Sequence, residues 1–189
     1  MNKIVKNALI LMAFSLVLGF VLGAVYKITE GPIAEATLRK EMEAYKVVFE
    51  NADTFNEVAV NAAVAAQAMT DGGYPDEINK AFEAVDASGN CIGYVVQLTT
   101  KDGYSGGIVM VVGVTLDGTV NGFSVTAHSE TSGLGTKAFD PEYADQFKGI
   151  PATSVSGIST ISGATLTSTA VKNGINAAVA YANILGGAQ

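Results

Sequence analysis

Two short stretches gather the side chains that could do chemistry. The first is "SGATLTST", Ser162–Thr169, which closes a run from Thr153 to Thr169 in which ten of seventeen residues are Ser or Thr. The last acidic residue of the chain is Asp145, so this run offers hydroxyls and no negative charge. The second is "HSETSGLGTK", His128–Lys137, where the sole histidine, Glu130, Gly133, Gly135 and Lys137 fall within ten residues. That stretch is too compact for a strand and too featured for a plain linker, and binding residues concentrate on such loops.

The chemistry open to the first stretch follows from what comes after it. Val171, Ile175, Ala178, Val179 and Ala182 recur with helical period, which predicts a helix from near Thr167 to Leu185. The first turn of a helix leaves backbone N–H groups unpaired and carries a partial positive charge, a natural seat for an anion such as phosphate. Gly163 and Ala164 give the chain freedom to turn, and the hydroxyls of Ser162, Thr165, Thr167 and Ser168 would add donors. The same residues serve equally as an ordinary N-cap, and spacing leaves both readings open. Neither GxxxxGK[ST] nor GxGxxG is present. His128 has no second histidine to build a metal site with and reads as an ordinary polar side chain. No catalytic or metal-binding residue is assigned.

The bulk numbers narrow the class. The chain has 189 residues and a net charge of −7, which argues against a nucleic-acid partner, since phosphate backbones call for clustered Lys and Arg. With one cysteine, Cys91, it cannot form an intrachain disulfide or bind an iron–sulfur cluster by itself. Redox chemistry would need an organic cofactor.

Those residues must be positioned by the rest of the chain. Ala8 to Tyr26 is nineteen residues without a charge, eleven of them Leu, Ile, Val or Phe. As a helix it spans about 28 Å, close to the hydrocarbon thickness, with insertion favoured by ~3–6 kcal/mol. It is longer than a signal peptide's apolar region and is read as a retained membrane anchor. Lys3 and Lys6 precede it while Glu30 and Glu35 follow, so the body is expected on the extracytoplasmic side of the cell membrane.

After the span, "EGPIAEATLRKEMEAYKVVF" has Ile33, Leu38, Met42 and Tyr45 at near-helical spacing. Asn51–Ala68 is Ala- and Val-rich and its periodicity does not decide between helix and irregular structure. From Ala81 the texture becomes β: "FEAVD", "CIGYVVQLTT", "IVMVVGVT" and "VNGFSVTAHS", with a hairpin signal at Asp117-Gly118. "FDPEYADQFKG", Phe139–Gly149, reads as a short surface helix. The expected organisation is a cytoplasmic N-terminus and transmembrane helix over 1–27, a helical connecting region over 28–80 and a mixed domain over 81–189. The fold class is α+β: one transmembrane helix, then a mixed domain of antiparallel hairpins and packed helices.

At "GPIAEA", "GYSGGIVMVVGVTLDG", "HSETSGLG" and "SGATLTS" the sequence resembles the FMN-binding domain family, found in the G subunit of Rnf electron-transport complexes and the C subunit of sodium-translocating NADH:quinone oxidoreductase. Four spaced motifs in order cover nearly the whole chain, whose short length looks more like the Rnf member. The resemblance implies that Thr165 is joined covalently to the 5′-phosphate of FMN by a flavin transferase during maturation. It implies that Ser162, Gly163, Ala164, Leu166, Thr167 and Ser168 surround the attachment, that Glu130, Thr131, Gly133, Leu134 and Gly135 line the flavin, and that Leu134 lies against its ring. Family members often have Pro where Ser132 stands and Asp where Ser159 stands.

The family also implies an electron-relay subunit in a membrane complex that passes electrons between reduced ferredoxin and NAD⁺ and couples this to Na⁺ or H⁺ transport, with the other subunits and membrane lipid as partners. This chain alone could not catalyse the whole reaction. Two other readings remain: an extracytoplasmic flavin-binding module that does no electron transfer, and a stand-alone flavin reductase. For the latter, His128 and Glu130 are the visible acid–base candidates.

Overall fold

The structure, a computed structural model, describes residues 3–187. The chain divides into two compact units, the first reaching Glu41 and the second beginning at Met42.

The first unit is one helix. Helix α1 (Lys3–Val48) starts before the apolar run and carries on past Gly31-Pro32 into the second unit. Pro32 removes one backbone N–H from the ladder, while the hydroxyls of Thr29 and Thr37 donate back to the carbonyls of Val25 and Ile33. Its most apolar window has a mean hydropathy of 2.6 with none of it buried, and it is long and apolar enough to cross a membrane. Leu11, Phe14, Phe20 and Leu22 are exposed on successive faces, so the helix is apolar all round rather than along one stripe.

The second unit is built on a six-stranded antiparallel sheet in which every strand pairs with its sequence neighbours: β1 (Thr54–Val58), β2 (Glu77–Val85), β3 (Cys91–Thr100), β4 (Ile108–Thr115), β5 (Thr119–Ala127) and β6 (Ile150–Pro151). The meander follows from turn chemistry. Asp86 accepts the N–H groups of Ser88 and Asn90 between β2 and β3, and Asp117 bonds the Thr115 hydroxyl and the Thr119 N–H between β4 and β5.

The middle strands are covered on both faces, which explains why "YVVQL" and "VMVVGV" are nearly continuous apolar runs rather than alternating ones. On one side α2 (Ala62–Gly72) and α5 (Thr165–Gly187) pack over Val96, Leu98, Met110 and Val112. On the other, Ala44, Tyr45, Val48 and Phe49 at the end of α1 pack over Val95 and Val111. Gly113 makes the second contact possible: a Cβ there would lie 2.8 Å from the Val48 carbonyl oxygen and 3.0 Å from its Cβ. The Asn121 amide donates to the same carbonyl, one of those that the end of α1 leaves unpaired.

Two stretches differ from the sequence reading. The region 28–80 is not helical throughout: it holds β1 and the start of β2. The edge strand β1 is only five residues long, and its Phe55 packs edge-on to Tyr45 at 5.6 Å, a tertiary contact that local pattern does not carry. Phe139–Gly149 is not one surface helix. It breaks into a 3₁₀ turn ending at Phe139, α3 (Pro141–Ala144) and a second 3₁₀ turn, because Tyr143 and Phe147 are buried against Phe123 and one another. The last helix before the hydroxyl-rich run closes is α4 (Ala152–Val155), which leads into it.

Asp76, at the entrance to β2, is buried beside Thr100. Burial raises its pKa above the ordinary carboxylate value, with the charge of Asp102 adding to the rise. A raised folded-state pKa means that the stabilisation is complete below the unfolded value of ~3.9 and is lost as pH rises through the folded one. Asp76→Asn is therefore expected to raise the thermal midpoint of the full chain in detergent at pH 8 and to change it little at pH 3.5. At Gly113, an added methyl meets backbone that cannot rotate away. Gly113→Ala should cost about 1–3 kcal/mol in chemical denaturation.

Candidate functional site

The start of α5 is shaped by its own side chains. The Ala164 N–H donates to the Ile161 carbonyl at 2.9 Å, closing a tight turn in which Gly163 has φ +81°, a conformation that a side chain would strain. The Ser168 hydroxyl donates to the Ala164 carbonyl (2.9 Å) and accepts the Ile161 N–H (3.2 Å), tying the turn to the helix. One turn further on, Lys172 Nζ donates to the Ile158 carbonyl at 3.0 Å and holds the incoming loop. Thr165 is the first helical residue. Its side chain is exposed, and the N–H groups of this turn have no intrahelical acceptor.

Beside this turn lies a cavity of about 320 Å³ lined by Tyr104, Glu130, Thr131, Leu134, Gly135, Gly163, Ala164, Thr165, Leu166 and Thr167. Its volume falls at the low end of the range for small-molecule sites. Three segments form it: the β3–β4 connection, the loop after β5, and the start of α5. Glu130 joins them. It is 7% exposed, its Oε2 accepts the Thr167 hydroxyl at 2.8 Å, and its Oε1 accepts the Ser105 N–H at 3.2 Å. Gly135 leaves room for it, since a Cβ there would sit 2.5 Å from Oε2.

Of the twelve residues singled out in the sequence, nine line this cavity. Ser162, Gly133 and Ser168 do not. The Thr167 hydroxyl is held by Glu130 and that of Ser168 by the turn, so neither is the free donor that spacing suggested. Nor is the site free of acids: the run from Thr153 to Thr169 has none, but the fold returns Glu130 to its side. His128 is not on the cavity. Its Nδ1 accepts the Glu130 N–H at 3.2 Å and its ring packs on Phe139 with centroids 4.9 Å apart. The reading of Glu130 as an acid–base candidate also weakens, because both of its oxygens have partners within the chain. Tyr104 was not among the residues expected from sequence; its one signal there was an aromatic side chain in the Gly-rich "KDGYSGG".

The chemistry of the lining suits a phosphate ester that carries a flat ring system. Thr165 presents a hydroxyl where the helix start favours an anion, and Tyr104, Leu134 and Leu166 give the mouth an apolar rim. Residues 103–180 match the FMN-binding domain family, and residues 1–48 match the RnfG N-terminal region. The cavity-bearing unit is thus an FMN-binding domain.

Across the whole chain, it is 31% identical over 187 residues to the G subunit of the ion-translocating oxidoreductase complex of Methanosarcina acetivorans, covering 95% of each. It is 32% identical over 85% of this chain to the G subunit of the proton-translocating ferredoxin:NAD(+) oxidoreductase complex of Clostridium ljungdahlii, of which it covers 82%. Among solved structures, Shewanella oneidensis NqrC superposes with a TM-score of 0.50 at 25% identity, over 58% of this chain and 61% of that one. The chain belongs to the family of G subunits of ion-translocating oxidoreductase complexes.

The Glu130 contacts carry a prediction. A hydrogen bond to a charged group contributes about 1.5–3 kcal/mol, and here loss of the Thr167 bond also orphans a buried hydroxyl. Glu130→Ala is expected to destabilise the full chain by on the order of 3 kcal/mol in denaturant titration, and to speed proteolytic nicking of the loops at 101–107 and 128–134. Glu130→Gln, which can keep one acceptor, should do less on both measures.

Proposed function

We propose that the chain is an electron-relay subunit of an Rnf-type ion-translocating ferredoxin:NAD⁺ oxidoreductase, and that it carries FMN through a phosphoester bond to the Thr165 hydroxyl. The other subunits of that complex are its partners, a flavin transferase attaches the cofactor, and α1 anchors the chain in the membrane with the flavin domain on the extracytoplasmic side. FMN, once attached, supplies the capacity to accept and pass on electrons.

The observation that carries this reading is the state of the hydroxyls around the start of α5. Thr167 and Ser168 are buried and hydrogen-bonded, whereas Thr165 is exposed at the cavity, on the helix turn whose N–H groups can meet a phosphate. The chain's own residues then divide the work. The first turn of α5 orients the phosphate, Leu134 and Leu166 offer apolar surface to the ring, and Glu130 fixes the loops that flank it. A tether suits this position: a freely dissociating cofactor is lost outside the cell, while a linked one keeps a high effective concentration. With His128 turned away from the cavity, the stand-alone reductase reading lacks an acid–base group.

In protein made in its own host, the Thr165-containing peptide is expected to be heavier by FMN less one water, and the denatured chain to fluoresce under ultraviolet light on a gel. Thr165→Val should remove both signals and leave the fold intact, because the side chain is exposed. A bare Thr165 in the active, purified complex overturns the reading.

A further inference from the structure

Tyr104 sits in a connection that its composition should leave loose. The segment 101–107 contains Gly103, Gly106 and Gly107, and Gly106 has φ +122°. It is nevertheless held on either side of Tyr104. Before it, Asp102 Oδ2 accepts the Asn173 side-chain amide of α5 at 3.1 Å; after it, the Ser105 N–H donates to Glu130 at 3.2 Å. The backbone of Tyr104 is thereby fixed to the same helix that presents Thr165.

The side chain is left free. It lines the cavity yet is 69% exposed, alongside Leu166 at 59% and Leu134 at 46%. Anchoring a loop twice while exposing its aromatic residue makes sense if something flat covers that residue. A phenol ring pairs well with an extended planar heterocycle, because an electron-rich ring meets an electron-poor one, and aromatic pairs gain beyond area burial through offset stacking or edge contact.

We infer that Tyr104 is a flavin-contacting residue: its ring lies against the isoalloxazine of the tethered FMN, and the Asp102–Asn173 and Ser105–Glu130 hydrogen bonds hold it there. This inference rests on the attachment proposed at Thr165. Two consequences follow from the electronics. An electron-rich partner quenches flavin fluorescence, and it favours the electron-poor oxidised ring over the reduced one, which lowers the midpoint potential.

The test uses the full chain, flavinylated in its host and purified in detergent, as wild type, Tyr104→Ala, Tyr104→Phe and Asn173→Ala. Fluorescence of the denatured band measures how much flavin is attached; fluorescence per flavin of the native protein and the midpoint potential measure the contact. Tyr104→Ala should keep the denatured band, raise native fluorescence several-fold and shift the potential upward. Tyr104→Phe, which keeps the ring but loses the electron-rich phenol, should raise native fluorescence nearly as far as Tyr104→Ala while moving the potential less. Asn173→Ala, which releases one anchor and leaves the tyrosine, should fall between wild type and Tyr104→Ala. Tyr104→Ala with attached flavin but unchanged fluorescence and potential overturns the Tyr104 contact and leaves the Thr165 linkage standing. A wild-type denatured band without fluorescence overturns both.

Discussion

One buried carboxylate holds the site together. Glu130 accepts the Thr167 hydroxyl with one oxygen and the Ser105 N–H with the other, so the loop after β5 is fastened at once to α5 and to the β3–β4 connection. A charge taken out of water is costly unless its hydrogen bonds are made, so the three segments are held in one arrangement or the charge is left unsatisfied. The sheet determines that they can meet. Thr100 pairs with Ile108 and Val109 with Ala127, which puts the β3–β4 connection and the exit of β5 at one end of the sheet. Helix α5 lies across β3 and β4, and its first turn comes to that same end.

That arrangement depends in turn on how closely α5 can settle on the sheet. A Cβ at Gly174 would lie 2.6 Å from Met110 Sδ, so glycine permits the approach midway along the helix. On the opposite face the end of α1 meets the sheet at Gly113. The middle strands are clamped between two helices, and the loops that extend from them gain a rigid base. A cofactor tethered at Thr165 as proposed would be held on such a base in one orientation, which a relay needs if electrons are to arrive and leave along fixed directions.

Much of this was legible in the residues. The apolar run from Ala8 to Tyr26, the hairpin at Asp117-Gly118 and the period of the last helix each carry a local pattern that structure follows. What was not legible depends on contacts distant in sequence. β1 is held by its pairing with β2 and by Phe55 against Tyr45. The segment around Phe139–Gly149 bends because Tyr143 and Phe147 turn inward to Phe123. Around the cavity, residues of "SETSGLG" and "SGATLTS" come together in one lining, yet sequence could not tell that Glu130 reaches a partner 37 positions away at Thr167 or that Tyr104 joins the same cavity. Hydroxyl count was a poor guide for the same reason: a Ser or Thr shows its type in the sequence but not whether its hydrogen bonds are already made.

The geometry of a single helix turn resolves that last ambiguity. Successive residues advance by about 100° around the axis, so relative to Thr165, Thr167 lies about 200° round and Ser168 about 300°. With Thr167 directed to Glu130 and Ser168 folded back onto the Ala164 carbonyl, Thr165 is carried to the open side. Under the attachment proposed at Thr165, selection of one hydroxyl among many would not require a modifying enzyme to read each in turn. The fold withdraws its competitors in the first turn, and the two withdrawn side chains serve to lock the turn that presents the third. The same bond that hides Thr167 also supplies one of the two partners of the buried carboxylate. The exposure of Thr165 and the architecture of the site thus rest on the same few hydrogen bonds.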